Sequence, residues 1–243
     1  MISNIKTISL TGIEGSLVEV QTDITGGLPT FEIVGLPDTS VKESKERIKS
    51  AIKNSNVEFP SRRIIINLAP ASTKKEGTSY DLPIAIGILI AQKEIINNKL
   101  ENTIFIGELS LDGKINRING VLPMCIEALE LGIKRVVLPK ENAIEASIIK
   151  GLEIIPVEDL LDAIEYITGN LEIPSYVSKE NINLRPTQNY EFDFSDVKGQ
   201  ENAKRALEIA ATGSHNCLLC RCARFGKKPI IRKNSYNFTR FNI

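Results

Sequence analysis

The chain has 243 residues, of which 42% are apolar, enough for a sizeable core and too many for a chain disordered throughout. Its 30 basic and 30 acidic residues give a formal charge of zero, which argues against coating nucleic acid or an anionic membrane by bulk electrostatics. No basic start followed by an apolar stretch opens the sequence, and the longest apolar run, Leu82–Ala91, falls short of the ~20 residues of a membrane span, so a soluble cytoplasmic protein is expected.

The first third reads as strands. Thr7–Thr11 and Leu17–Ile24 are rich in β-branched residues, and in the second Val18, Val20, Thr22 and Ile24 alternate with Glu19, Gln21 and Asp23. Gly12–Gly15 is the loop between them, and a third strand, Thr30–Val34, follows the turn signal Gly26-Gly27-Leu28-Pro29. Asp38 or Thr39 can cap the next segment, a helix with Val41, Ile48, Ala51 and Ile52 on its apolar face. Arg63–Leu68 is an apolar strand ended by Ala69-Pro70. After a polar loop, Ser72–Thr78, residues Tyr80–Gln92 are apolar on most sides and predict a buried helix. A strand at Thr103–Ile106 is followed by a second short one at Lys114–Ile118, across the Asp112-Gly113 turn. From Gly120 the pattern alternates: helix to Leu131, strand Arg135–Leu138, helix Glu141–Lys150, strand Glu153–Pro156, helix Val157–Ile167. An antiparallel front followed by βαβα units predicts an α+β (mixed α/β) domain with a mixed sheet over residues 1–170. Residues 171–191, with Pro174 and Pro186, read as a linker. Residues 192–219 begin a new segment whose helix, Glu201–Thr212, carries Ala203, Ala206, Leu207 and Ala210 on one face.

Ordered motifs run through this pattern: Gly35-Leu36-Pro37-Asp38, Asn67-Leu68-Ala69-Pro70-Ala71, Lys75-Glu76-Gly77, Tyr80-Asp81-Leu82-Pro83-Ile84-Ala85, Gly107-Glu108-Leu109-Ser110-Leu111-Asp112-Gly113, Gly120-Val121-Leu122-Pro123 and Phe194-Ser195-Asp196-Val197-Lys198-Gly199-Gln200. With them residues 1 to about 219 resemble the magnesium-chelatase-like family, whose members are also called YifB or ComM. The resemblance implies a Lon-peptidase-like N-terminal domain followed by an AAA+ ATPase domain. It also implies ATP and Mg as cofactors of the full-length protein, and a ring-shaped DNA branch-migration helicase in some members.

A Lon peptidase needs a serine nucleophile and a lysine base within hydrogen-bond reach. Set against the Lon motif Pro-Lys-Asp-Gly-Pro-Ser-Ala-Gly, residues Lys74–Asp81 place the serine at Ser79; the base falls on Leu122, which cannot accept a proton. Ser79 is then expected to cap the helix that starts near Tyr80, with Lys74 and Lys75 solvated in the preceding loop. The alternative is a Ser/Lys peptidase using Ser79 with another lysine. Paired acids, Glu141 with Glu145 and Glu153 with Glu158 and Asp159, fall at helix starts, where capping and dipole effects account for them. No catalytic residue, nucleotide site or metal site is otherwise assigned.

An AAA+ domain needs a Gly-x-x-x-x-Gly-Lys-[Ser/Thr] loop to cradle phosphates and hold Mg²⁺. None occurs; where the family places it, just after His215-Asn216, this chain reads Cys217–Pro229. Read one nucleotide later, codons for Cys220–Lys228 can encode Val-Gly-Ala-Pro-Gly-Ser-Gly-Lys-Ser, a complete phosphate loop. Residues 220–243 are therefore expected to be an out-of-frame tail, and the chain a truncated family member that does not hydrolyse ATP. The charge pattern agrees: residues 216–243 hold seven basic residues and no acid, leaving 23 basic and 30 acidic residues, a net of −7, in residues 1–215. On this reading neither Cys217, Cys220, Cys222 and His215 as a zinc set nor the basic tail as a nucleic-acid arm is functional. The expected partners are a second copy or a full-length homologue, with no direct nucleic-acid site and no membrane.

Overall fold

The computed structural model describes residues 2–93, 100–177, 194, 197–213 and 215–217. The chain divides into two compact units, Met1–Ile182 and Asn183–Ile243.

The first unit is built on a seven-stranded mixed sheet. β1 (Ile2–Thr11) and β2 (Glu14–Thr25) form a long antiparallel hairpin, paired from Ile2 with Asp23 to Thr11 with Glu14. β1 thus begins five residues earlier than the β-branched run at Thr7 predicts. Its first half carries few apolar side chains, and pairing with β2 holds it in the sheet. β3 (Thr30–Val34) lies parallel to β4 (Arg63–Ala69), which is antiparallel to β2. On the other side of β1 lie β5 (Thr103–Phe105), β8 (Arg135–Pro139) and β9 (Glu153–Val157), all parallel. The sheet order is β3-β4-β2-β1-β5-β8-β9. A separate hairpin, β6 (Glu108–Leu109) with β7 (Ile115–Asn116), closes the Asp112-Gly113 turn. The short strand after that turn therefore pairs with Glu108–Leu109 rather than with Thr103–Ile106.

Alternation along the strands sends side chains into two cores. Phe105, Val137 and Ile155 join α1 (Thr39–Asn54), α2 (Asp81–Ala91) and α5 (Leu160–Thr168) on one face. Ile104, Val136 and Ile154 join α3 (Val121–Glu130) and α4 (Ala143–Ala146) on the other. α2 is buried along its whole length, as its sequence predicts. Gly87 lets it lie close on the hairpin: a Cβ there would meet Thr22 Oγ1 at 2.6 Å. The expected helix Glu141–Lys150 shrinks to a 3₁₀ turn, Lys140–Asn142, and the single turn of α4, since Ala143 and Ala146 are its only residues buried in the core and Gly151 turns at φ +96°. α5 starts at Leu160 rather than Val157, which ends β9; Asp159 caps it by accepting the Asp162 N–H at 2.8 Å. Leu171–Val177 run on beside β9, with the Tyr176 N–H donating to the Ile154 carbonyl at 2.8 Å.

In the second unit, α6 (Glu201–Thr212) buries Leu207, Ala210 and Ala211. Among the described residues no helix is long and apolar enough to cross a membrane.

Candidate functional site at the head of the central helix

The loop from Pro70 to Tyr80 carries the expected nucleophile position, and its path is fixed by backbone pairing. Lys75 bridges to Pro37, its N–H donating to the Leu36 carbonyl at 3.1 Å and its carbonyl accepting the Asp38 N–H at 3.0 Å. Asp38 caps α1, accepting the Val41 N–H at 2.8 Å and the Ser40 hydroxyl, and it also takes the Gly77 N–H at 3.4 Å. Burial pushes its carboxyl up, but the bonds from Val41, Ser40 and Gly77 outweigh that and hold it below the usual carboxylate range. One carboxylate thus ties the start of α1 to the loop before Ser79.

Lys75 is not solvated. It is fully buried, its Nζ donating to the Thr73 carbonyl at 2.8 Å and to the Pro70 carbonyl, and burial pushes its ammonium down. The bridge to Pro37 sets Lys75 into the protein, whereas Lys74 stays exposed and pairs with Glu76. Nothing in the doublet Lys74-Lys75 distinguishes the two in sequence.

Ser79 is 7% exposed, and its carbonyl accepts the Gly107 N–H at 3.1 Å. It does not cap α2: Tyr80 occupies the cap position in a helical conformation, and no side chain closes the first turn. The amides there are met by backbone instead, Asp81 donating to the Thr78 carbonyl at 3.3 Å and Leu82 to the Gly107 carbonyl at 3.0 Å. Beside Ser79, the Tyr80 phenol is buried against the Ser9 hydroxyl, the two oxygens facing one another without a bond of ordinary geometry. Burial pushes this phenol up to about 12.

Leu122, at the position of the base, is half-buried in the first turn of α3, and its N–H donates to Glu145 Oε1 at 3.3 Å. The end of β1 connects the two positions. Tyr80 lies against Ser9 on one face, and Gly120 packs on Leu10 from the other. The residue at the expected position of the base thus carries an alkyl side chain with no proton-accepting group.

Sequence reasoning missed the strongest polar contact in this region. Asp81, 1% exposed, accepts Arg47 Nε at 2.7 Å and Nη2 at 3.1 Å, and also the Leu109 N–H at 3.2 Å. Burial pushes the Asp81 carboxyl up to about 6 against the pull of Arg47. This forked contact joins α1, α2 and β6. The available signal was a single acid heading an otherwise wholly apolar helix.

Of the paired acids, Asp159 caps α5 as expected, whereas Glu158 pairs with Lys140 and Glu145 takes the Leu122 N–H at the start of α3. Among the described residues no three His, Cys, Asp or Glu side chains are grouped to hold a metal ion; Cys220 and Cys222 lie outside those residues.

Residues 20–142, half of the chain, match the family described as subunit ChlI of Mg-chelatase, and residues 193–236 match that described as magnesium chelatase, subunit ChlI. The chain belongs to the magnesium-chelatase-like family of ComM and YifB. Within it, the chain is 37% identical to competence protein ComM of Haemophilus influenzae over 210 residues, 85% of this chain and 41% of that protein. It is 38% identical to uncharacterized protein YifB of Escherichia coli over 220 residues, 90% of this chain and 42% of that protein. Beyond these, Lon protease 2 of Bacillus subtilis is 28% identical over 176 residues, 64% of this chain and 31% of that protein. The chain spans about two fifths of the length of the ComM and YifB relatives.

Proposed function

We propose that the first unit is a non-catalytic, Lon-like module of a magnesium-chelatase-like protein, and that peptide hydrolysis is not its chemistry. The observation that carries this is the fate of the two candidate bases. Leu122 has no proton-accepting group, and Lys75 Nζ is directed to the Pro70 and Thr73 carbonyls. A serine without a base is a weak nucleophile. Hydrolysis of a fluorescent casein tests the proposal. The wild-type chain and Ser79→Ala are expected to be equally inactive, and turnover that disappears in S79A refutes it.

One observation favours the second reading, a Ser/Lys peptidase. Lys75 is buried and its ammonium is pushed down, four residues before Ser79, where both loop lysines were expected to be solvated and protonated. Its two carbonyl acceptors weigh against that role, because they favour the charged form that a base must give up.

In the longer relatives, we propose, the module serves an ATP-dependent machine that remodels DNA, working in the cytoplasm and meeting this chain by docking on a full-length copy or by self-association. The family resemblance supports this. We further propose that this chain is truncated by a +1 shift of reading frame between about Cys217 and Cys220, and so binds no nucleotide. Support comes from the phosphate loop recovered in the shifted frame. The family match through residue 236, made in the frame as written, weighs against it. Sequencing the locus tests it: a +1 frame continuing into a Walker B motif is expected, and its absence overturns the proposal.

A further inference from the structure

A cleft of about 420 Å³ opens between α1 and the segment joining it to β4, away from the Ser79 loop. Lys45, Lys49 and Lys53 line it from one face of α1, four residues apart and therefore about 6 Å apart along the helix axis. Arg62 adds a fourth cation from the other wall, and Glu46 is the one acid in the lining. Among the described residues none of these four cations is in an ion pair, whereas the nearby Arg47 is held by Asp81. Two aromatic rings complete the lining: Phe31 and Phe59, both half-buried, with centroids 5.9 Å apart at an interplanar angle of 41°.

We propose that this cleft binds single-stranded nucleic acid. A row of unpaired cations suits a flexible chain of phosphates, and adjacent ring faces suit unpaired bases, which stack without regard to sequence. A duplex hides its base faces and has no use for the aromatic pair. The acidic net charge of residues 1–215 predicts no nucleic-acid site. The cleft departs from that average because its lining carries four cations against one acid, with Glu32 and Glu58 next to it in the chain. The proposal does not depend on the DNA-remodelling role proposed for the longer relatives.

The test is fluorescence anisotropy of the full 243-residue chain with a labelled dT oligonucleotide over a range of salt. Binding at low salt is expected, with a log–log salt slope of about −3 for four neutralised phosphates. A hairpin duplex of equal length is expected to bind more weakly, and inorganic triphosphate to compete only at far higher concentration. Lys49→Glu with Lys53→Glu changes exposed side chains only and should weaken dT binding about tenfold or more while roughly halving the slope. Phe59→Ala should cost about tenfold with the slope unchanged. Any of three results overturns the proposal: dT binding that survives K49E/K53E, as binding by the basic tail would; duplex bound as well as dT; or triphosphate bound in preference.

Discussion

Replacing Arg47 by Met would leave Asp81 buried at the junction of α1, α2 and β6 without its two guanidinium bonds. Removing one partner of a buried ion pair costs about 3–5 kcal/mol while the other stays charged. Asp81 has a way out, because burial already pushes its carboxyl to about 6 from an ordinary 3.8. Native protein holds that proton more tightly than unfolded chain, so Asp81's contribution to stability is present at low pH and is lost as pH rises from about 4 through 6. Two pH units of such a shift correspond to about 3 kcal/mol. Loss of Arg47 pushes the carboxyl higher still. R47M should therefore lose the full amount at pH 8 and clearly less at pH 5, where a neutral Asp81 needs no counter-charge. Urea unfolding followed by circular dichroism at both pH values reads this directly. Asp81→Asn supplies the reference: wild type should lose stability relative to D81N on going from pH 4 to 7. An equal R47M penalty at pH 5 and pH 8 would refute the reasoning.

Lys75→Met should cost about 1–3 kcal/mol, since it removes the two hydrogen bonds that the buried Nζ donates to the Pro70 and Thr73 carbonyls rather than a reactive amine; thermal unfolding measures it, and an unchanged midpoint contradicts the structural role. Gly87→Ala should cost about 1–3 kcal/mol, because its Cβ would sit 2.6 Å from Thr22 Oγ1. The double variant with Thr22→Ala should recover much of that in the same unfolding assay, and a G87A protein as stable as wild type would show that α2 does not press on the hairpin.

What the sequence reveals follows where one physical cause dominates. Val18, Val20, Thr22 and Ile24 alternate because one face of β2 is covered by α2 and the other carries a half-buried polar network, in which Asn67 Nδ2 reaches Gln21 at 2.9 Å. Asp38 is legible as a cap because a short acid before an amphipathic run has few other uses. The first half of β1 is hidden because Ser3, Asn4 and Lys6 have little β-character of their own, and the partners that recruit them, Thr22, Gln21 and Glu19, lie further along the chain in β2. At the candidate site, motif spacing alone points to Ser79 and Leu122. The burial of Lys75 and the Arg47–Asp81 fork depend on which loops meet, and local pattern carries no trace of that.

The central claim, that the Lon-like frame at Ser79 has lost its base and with it its chemistry, is tested most directly by a fluorophosphonate probe with mass-spectrometric mapping. No adduct on Ser79 is expected, with wild type and S79A giving identical spectra across pH 6–9. A stoichiometric adduct on Ser79, lost in Lys75→Met, would contradict the account and establish Lys75 as the missing base.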